Sequence, residues 1–524
     1  MSKANPAVSM VRSDSEVEKY DSVHNLGLED VAIAGQAATD IHGHSLVEID
    51  PKAERALIRK LDFVILPCVL FCYIMCFVDR TNIGNARIAG LEPSLGIKPT
   101  DYGGYAYNLL ITSFYIAYIV AEPFAAYIAK MIGPGTFLAT ITILFGVLSF
   151  AMAYIQTFGQ GIAVRTLLGV MESGFFPMTS FFLSRFYKKK SELSLRIGIY
   201  ITFAPLSGAG GGLLASGLLA CPGFGMIRGW RIIFWAEGLI TIGAGLIALA
   251  VLPNSPEKCR WLSDDERKLA IARLKAENVG ALVHVDSLNK KVTKDAVSNV
   301  TTLANSVIFL FGNMVVQGLG FFLPSIISTI YPGLTLVERQ LRTTPPYFVG
   351  AVFTVLGPYL AGKYRQHNLL MVIYAPIFAA GYAIFLGSNV AGVRYFACFL
   401  IAIGAFPIGA LASASAAINT TSDTARVAAL GMLSFIGNFG GLAATWTYIP
   451  KLTRAIPKES QIPGNVVNML GGIICCLTAA GMWLYQAREN KAKDAGRDDW
   501  RVEGKSAEEI ALLGQKHPGF RFQH

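Results

Sequence analysis

Residues 252–267 read LPNSPEKCRWLSDDER, and this polar break decides how the rest of the chain is organised. Seven of its sixteen side chains are charged, too many to lie in hydrocarbon. Ser263 is placed to cap a helix, and Glu266 three residues on can close a capping box, so a short surface helix is expected here. On both sides the sequence turns apolar. Runs broken by charges give spans at 61–80, 104–128, 136–156, 159–183, 196–220 and 231–252 before the break, and at 303–327, 345–362, 369–388, 394–416, 427–450 and 466–487 after it. Many reach the ~20 residues that a helix rising ~1.5 Å per residue needs to cross ~30 Å of hydrocarbon. The polar segment 253–302 therefore divides twelve spans six and six. The expected fold is all-α integral membrane, with twelve transmembrane helices in two six-helix halves at 61–252 and 303–487 and tails at 1–60 and 488–524.

Composition agrees with this and narrows the function. Of 524 residues 53% are hydrophobic and only 15% charged, against roughly 25% charged in soluble domains. The 52 glycines suit helices that approach closely in lipid. SGAGGG at 207–212 belongs to that architecture and is no phosphate loop, because it lies inside an apolar span and no Lys-Ser or Lys-Thr follows it. The first 60 residues lack the basic-then-apolar pattern of a cleavable signal and read as a disordered cytoplasmic tail. Cys68, Cys72 and Cys76 recur at four-residue steps on one face of the first span, and Cys475 and Cys476 lie in the last; they read as small packing residues, with neither a disulfide framework nor a metal spacing. The formal charge of +10 resides in loops and tails, so it reports orientation rather than binding to nucleic acid. Roughly twenty-five Lys and Arg fall on the side of the termini and middle loop against about eleven on the other, which places the termini in the cytoplasm. The sequons Asn299-Val-Thr and Asn419-Thr-Thr then lie on the cytoplasmic side and are expected to stay unmodified.

The histidines, at 24, 42, 44, 284, 367, 517 and 524, all fall outside the expected spans. Membrane enzymes that use imidazole as base, haem ligand or metal ligand are thereby disfavoured, and any proton carried must ride on a carboxylate. Charge inside a membrane span is costly and marks function by default. Setting aside Asp62 at the cytoplasmic edge, the spans offer Asp79, Glu122, Glu172 and Glu237, all in the first half. Arg165 and Glu172, in RTLLGVMESGFF, are seven residues apart and share one helix face about 10 Å apart along the axis, too far to pair with each other. Each needs another partner. A guanidinium can fork onto a substrate carboxylate, and a carboxylic acid in a dry cavity can exchange a proton near neutral pH; a structural network with neighbouring helices is the competing reading.

Asp79 and Arg80 end the first expected span in CFVDRTNIGNARIAG. Adjacent residues point about 100° apart, so one can face a cavity and the other a neighbouring helix, unless Arg80 snorkels into headgroups. Glu122 precedes Pro123, which frees a carbonyl of the preceding turn. Glu237, one to two turns after Arg231, reads with it as structural charge that packs two helices. The second half contributes neutral groups, Asn313, Gln317, Asn419 and Asn438, whose hydrogen bonds orient a ligand or join helices.

At these residues the sequence resembles the anion:cation symporter family of the major facilitator superfamily, and within it the fungal allantoate and nicotinate permease group. The matching strings are RKLDFVILP, YIMCFVDRTNIGNARIAGL, RTLLGVMESGFFP, FLSRFYKKKSELSLRIG, GWRIIFWAEGLITI, LPNSPEKCRWLSDDER, FLPSII and RVAALGMLSFIGNFGG, in order over most of residues 57–450. The resemblance implies that Asp79 with Arg80 and Arg165 with Glu172 serve proton coupling and anion binding, and that Asn438 is a substrate-side asparagine. It departs in span 2, where the family's Glu-Ile-Pro-Ser-Asn pattern is replaced by EPFAA at 122–126. AKMIGPG at 129–135 lacks the acidic-basic signature of sugar and drug carriers.

The expectation is a proton-coupled importer, monomeric and embedded in the lipid bilayer, for a small organic anion such as a carboxylate vitamin, nitrogen source or organic acid. It would be no enzyme and need neither cofactor nor metal. Arg80, Arg165, Asn313, Gln317 and Asn438 are the expected substrate ligands, and Asp79, Glu172 and Glu122 the expected proton carriers. The rivals are a nutrient sensor with a transporter fold and an exporter of drugs or organic acids. The family default is the plasma membrane, with a vacuolar or other internal membrane as the alternative.

Overall fold

The computed structural model describes residues 50–98, 101–188, 192–279, 290–420, 423–448, 462–502, 504 and 513–523. Among the described residues twelve long helices follow one another. The first six are α1 (Pro51–Ile88), α2 (Ala106–Ile132), α3 (Pro134–Met152), α4 (Phe158–Leu183, interrupted at Ser173 and Gly174), α5 (Leu193–Ala220) and α6 (Trp230–Val251). After the middle segment come α7 (Val300–Ile330), α8 (Thr344–Tyr364), α9 (His367–Gly387), α10 (Ala391–Ile418), α11 (Asp423–Thr447) and α12 (Ile462–Asp494). Eleven of them are long and apolar enough to cross a membrane. The other, α8, has 21 residues, enough for about 31 Å, but its three prolines, three glycines and three tyrosines dilute its apolar character.

Local chemistry sets the helix starts. The Asp50 side chain caps α1, with Pro51 in the first helical position. Thr157 and Gln160 form a reciprocal capping box at the start of α4, and Asn299 caps α7. Within the first half α6 lies on α3, α2 on α4, and α1 against α5 and α6; within the second α7 lies on α11, α9 on α10 and α12, and α8 on α10. The halves meet along α5 with α8, α1 with α7, and α2 with α11. The glycine run does what its composition implies: a Cβ on Gly208 would meet the Tyr347 ring at 2.7 Å, and one on Gly212 the Thr343 hydroxyl at 2.7 Å, so α8 can lie flat on α5.

The bonds joining the halves gather towards the end opposite the termini. Tyr107 donates to the Phe321 carbonyl at 2.9 Å, Asn108 to the Thr445 carbonyl, and Gln340 to the Asn85 carbonyl at 3.4 Å. The termini side is arranged differently. The expected surface helix is present as Asp264–Val279, with Ser263 and Glu266 bonded reciprocally. It sits on the first half through Arg273, fully buried and paired with Glu192, and through Lys60, 2.5 Å from Glu266. Lys60 holds the Glu266 carboxyl below its ordinary range. On the second half, residues 513–523 fold back: the Lys493 ammonium donates to the Gln515 and Phe520 carbonyls, Asn490 donates to and accepts from Phe522, and Asn419 does the same with Gln523.

The two ends of α1 depart furthest from expectation. α1 begins ten residues before 61 and continues to Ile88, so Asp79 and Arg80 lie more than two turns before its end rather than at it. Both are buried, which overturns the headgroup reading of Arg80. A count of apolar residues stops at the first charges and cannot register that those charges are paired inside the bundle. Of the expected tail at 1–60, residues 1–49 lie outside the described ones, and 51–60 belong to α1.

Candidate functional site

The site begins with two helices that carry charge in opposite order. α1 presents Asp79 then Arg80, and α4 presents Arg165 then Glu172. Because α1 and α4 run in opposite directions, the four form two crossed pairs: Arg80 Nε donates to Glu172 Oε2 at 2.7 Å, and Arg165 Nη1 lies 3.4 Å from Asp79 Oδ2. The 100° offset of adjacent residues sends Arg80 one way and Asp79 another, and Asp79 also accepts from the Ser149 hydroxyl of α3 at 2.9 Å. The partners that Arg165 and Glu172 cannot give each other are thus supplied by α1. Glu172 is 0% exposed, and its Oε1 has no hydrogen-bond partner among the described residues.

A cavity opens between the halves beside the Arg80–Glu172 pair. Arg80 lines it and Arg165 does not, so of the two expected anion ligands the fold brings only Arg80 to the cavity. The guanidinium lies 5.0 Å from the Tyr118 ring centre and 5.5 Å from those of Phe77 and Phe114. Those rings hold the planar cation in place and favour its charge. Further aromatic lining comes from Tyr73, Phe175, Phe176, Phe309 and Phe406.

The second half supplies the neutral polar groups foreseen from sequence. Asn313, Gln317 and Asn438 all line the cavity, while Asn419 lies at the C-terminal end of α10, bonded to the terminal segment. Asn313 donates to the Gly437 carbonyl at 2.7 Å, which fixes its amide and leaves its oxygen toward other donors. Glu122 accepts from Ser434 at 3.1 Å and from Asn438 at 2.9 Å, a contact that joins α2 of one half to α11 of the other.

Two further residues differ from their sequence reading or extend it. Cys76 is no mere packing residue: its thiol lines the cavity, donates to Glu172 Oε2 at 3.2 Å and lies 3.6 Å from Arg80 Nη2. The signal was present, since Cys76 is four residues before Arg80 and so shares its helix face. Glu237 does join two helices, accepting from Asn82 of α1 at 2.6 Å. Arg231 is not its partner; it donates to the Ile155 carbonyl at 2.8 Å.

The arrangement can hold one anionic group of a small molecule at Arg80, stack a flat body among rings, and hydrogen-bond its far end. Known proteins place it in context. The chain is 29% identical to an MFS-type transporter, cnsO, of Penicillium expansum over 97% of this chain and 100% of that one. It is 27% identical to the high-affinity nicotinic acid transporter of Saccharomyces cerevisiae, covering 90% of this chain and 85% of that one. Among solved structures the proton:xylose symporter XylE superposes with a TM-score of 0.63 at 14% identity, covering 82% of this chain and 96% of that one, a likeness of fold alone. The sequence pattern described as Major Facilitator Superfamily matches residues 69–445. With its two six-helix halves around a shared cavity, the chain belongs to the major facilitator superfamily and is a multi-pass membrane transporter, not an enzyme.

Proposed function

We propose that the chain is a proton-coupled carrier of a small organic monoanion, of the anion:cation symporter kind, working by alternating access between its halves. The observation that carries this is the Arg80–Glu172 pair at the cavity wall, 2.7 Å apart. In this arrangement Glu172 neutralises the one guanidinium that lines the cavity among the described residues. A proton on Glu172 removes that competitor and frees the Arg80 fork for a substrate carboxylate. By linkage, a carboxylate on Arg80 favours the proton on Glu172 to the same degree. Anion and proton therefore load together, and the charge of the site is the same before and after. Asn313, Gln317 and Asn438 orient the substrate, and Glu122 gives the two halves an acid–amide contact. A single lining cation supports a monocarboxylate over a dicarboxylate, and the ring-rich wall supports a flat one. Similarity to a nicotinic acid transporter points the same way.

The excess of Lys and Arg on the termini side supports cytoplasmic termini and a cytoplasmic middle segment. The plasma membrane is the proposed setting. The test is uptake of labelled nicotinate, benzoate and succinate into cells expressing the protein, at two external pH values and with a protonophore. Uptake of a monocarboxylate is expected to rise as external pH falls and to collapse with the protonophore. Indifference to both treatments would make the protein a uniporter or couple it to another ion, and preference for succinate would contradict the single-cation site.

A further inference from the structure

Behind the cavity wall lies a second polar node that the loading scheme above does not use. It is made by four helices of the first half: Asp79 and Asn82 of α1, Ser149 of α3, Arg165 of α4 and Glu237 of α6. None of these residues lines the cavity. Glu237 is 0% exposed; Asn82 donates to its Oε2, while its Oε1 has no partner among the described residues. Arg165 is 2% exposed, and its Nε and Nη2 likewise have none, its contact with Asp79 being a long one at 3.4 Å. The Arg165 guanidinium lies 5.6 Å from the Phe234 ring centre, and Phe234 is one turn before Glu237 on the same face of α6. Unused donors on Arg165 and an unused acceptor on Glu237 thus sit on the same surface of α6.

The charge count is uneven. Away from the termini side, where Glu192, Arg196 and Arg273 are buried, this half holds three buried carboxyls, Asp79, Glu172 and Glu237, against two buried guanidiniums, Arg80 and Arg165; Glu122 is only half-buried and bonded to Ser434 and Asn438. Since α3 carries no charged residue between 134 and 152, Arg196, the one charged residue of 193–220, is bonded to Asp62, and Arg231 of α6 donates to the Ile155 carbonyl, no further cation among the described residues is paired with Glu237. A buried carboxylate without a cation is far costlier than a neutral acid.

We propose that Asp79 and Glu237 share Arg165 and one proton: with Arg165 on Asp79, as here, Glu237 is the neutral acid, and when the guanidinium turns to Glu237 the proton passes to Asp79. The O–H bond of Glu237 breaks, one forms on Asp79, and the node keeps one cation, one carboxylate and one acid throughout. This makes the node a proton relay that ends beside Arg80. It deepens the proton-coupled reading, yet its test needs no substrate, so either can fail alone.

The test is infrared difference spectroscopy of the purified full-length protein in lipid nanodiscs at neutral pH, reading the carbonyl band of protonated carboxyl groups. Glu237→Gln is expected to remove about one carboxyl's worth of that band relative to the parent. Asp79→Asn is expected to remove the same component, because Arg165 then has only Glu237 to answer and the proton leaves to solvent. Arg165→Gln is expected to strengthen the band, since both acids are left without a cation. A Glu237→Gln spectrum identical to the parent would show Glu237 ionised and sink the proposal. A component that Glu237→Gln removes but Asp79→Asn retains would make Glu237 a fixed structural acid and sink the sharing. Should any variant fail to elute as a folded species, the parent alone decides: a deuterium-sensitive acid band must be present at neutral pH, and its absence overturns the proposal.

Discussion

Glu172→Gln keeps the shape of the side chain that faces Arg80 but removes its charge and its proton exchange. Accumulation driven by a pH gradient should be abolished, while binding or exchange of the carried anion persists and loses its dependence on pH. Arg80→Lys keeps the charge and loses the planar fork, so affinity should fall at every pH. Loss of a charge-assisted hydrogen bond in a buried site costs about 1.5–3 kcal/mol, or roughly ten- to a hundred-fold in binding. Arg165→Lys should leave affinity near the parent value, since Arg165 does not line the cavity. Binding isotherms of the three variants in detergent separate these outcomes; normal affinity in a folded Arg80→Lys would remove Arg80 from the anion site. At this scale the sequence was eloquent about which charges lie inside the spans, because a charge in an apolar run is conspicuous. It was silent about who pairs with whom. The spacing of Arg165 and Glu172 shows only that they miss each other, and assigning Asp79 to one and Arg80 to the other needs the crossing of α1 and α4. Cys76 was passed over because a thiol in an apolar helix looks like filler until its neighbours across the gap are known.

Among the elements, α1 is where sequence and structure part most. Its 38 residues span about 57 Å, well beyond the hydrocarbon, and its buried charges sit where an apolar count ends the span. α1 also brings its backbone against that of the opposite half: a Cβ on Gly84 would lie 2.7 Å from the Phe321 carbonyl oxygen and 3.0 Å from that of Gly320 on α7. Backbone leaves no side chain to move aside, so the contact can be relieved only by separating the helices. Gly84→Leu should therefore weaken closure at the end opposite the termini and lower uptake by more than Gly84→Ala does, with both variants at matched surface levels. A parental rate in the leucine variant would mean that α1 and α7 do not close here during turnover. The surface helix at 264–279 was predictable because a capping box is a local signal, whereas the close approach of α1 to α7 depends on a partner far along the chain.

For the molecule as a whole, each half has its own fitting on the termini side: the helix Asp264–Val279 on the first, residues 513–523 on the second. The terminal segment was expected only as a tail, since nothing in its sequence shows that Lys493 and Asn490 lie waiting for its carbonyls. Removing residues 513–524 should lower the thermal unfolding temperature of the purified protein, as should Lys493→Ala. The two should not add, because both break one set of contacts. Additive losses would mean that Lys493 stabilises the fold by another route. The six-and-six division was legible in the pattern of apolar runs and the break at 252–267, but which ends of the halves touch was not.

Consider last where the ion pairs fall. Arg80 with Glu172, Arg165 with Asp79, Arg196 with Asp62, Arg273 with Glu192, Lys60 with Glu266 and Arg521 with Asp494 each stay within one half or between a half and the segment seated on it. The contacts between halves include hydrogen bonds of tyrosine, threonine and amide side chains, the Glu122 bridge to neutral donors, aromatic ring contacts and glycine-faced backbone. Rocking one half against the other thus ruptures none of these ion pairs. The barrier to reorientation is then one of shape and short-range contact, to which dissolved salt is nearly invisible, while the charges travel as sealed cargo of the half that holds them.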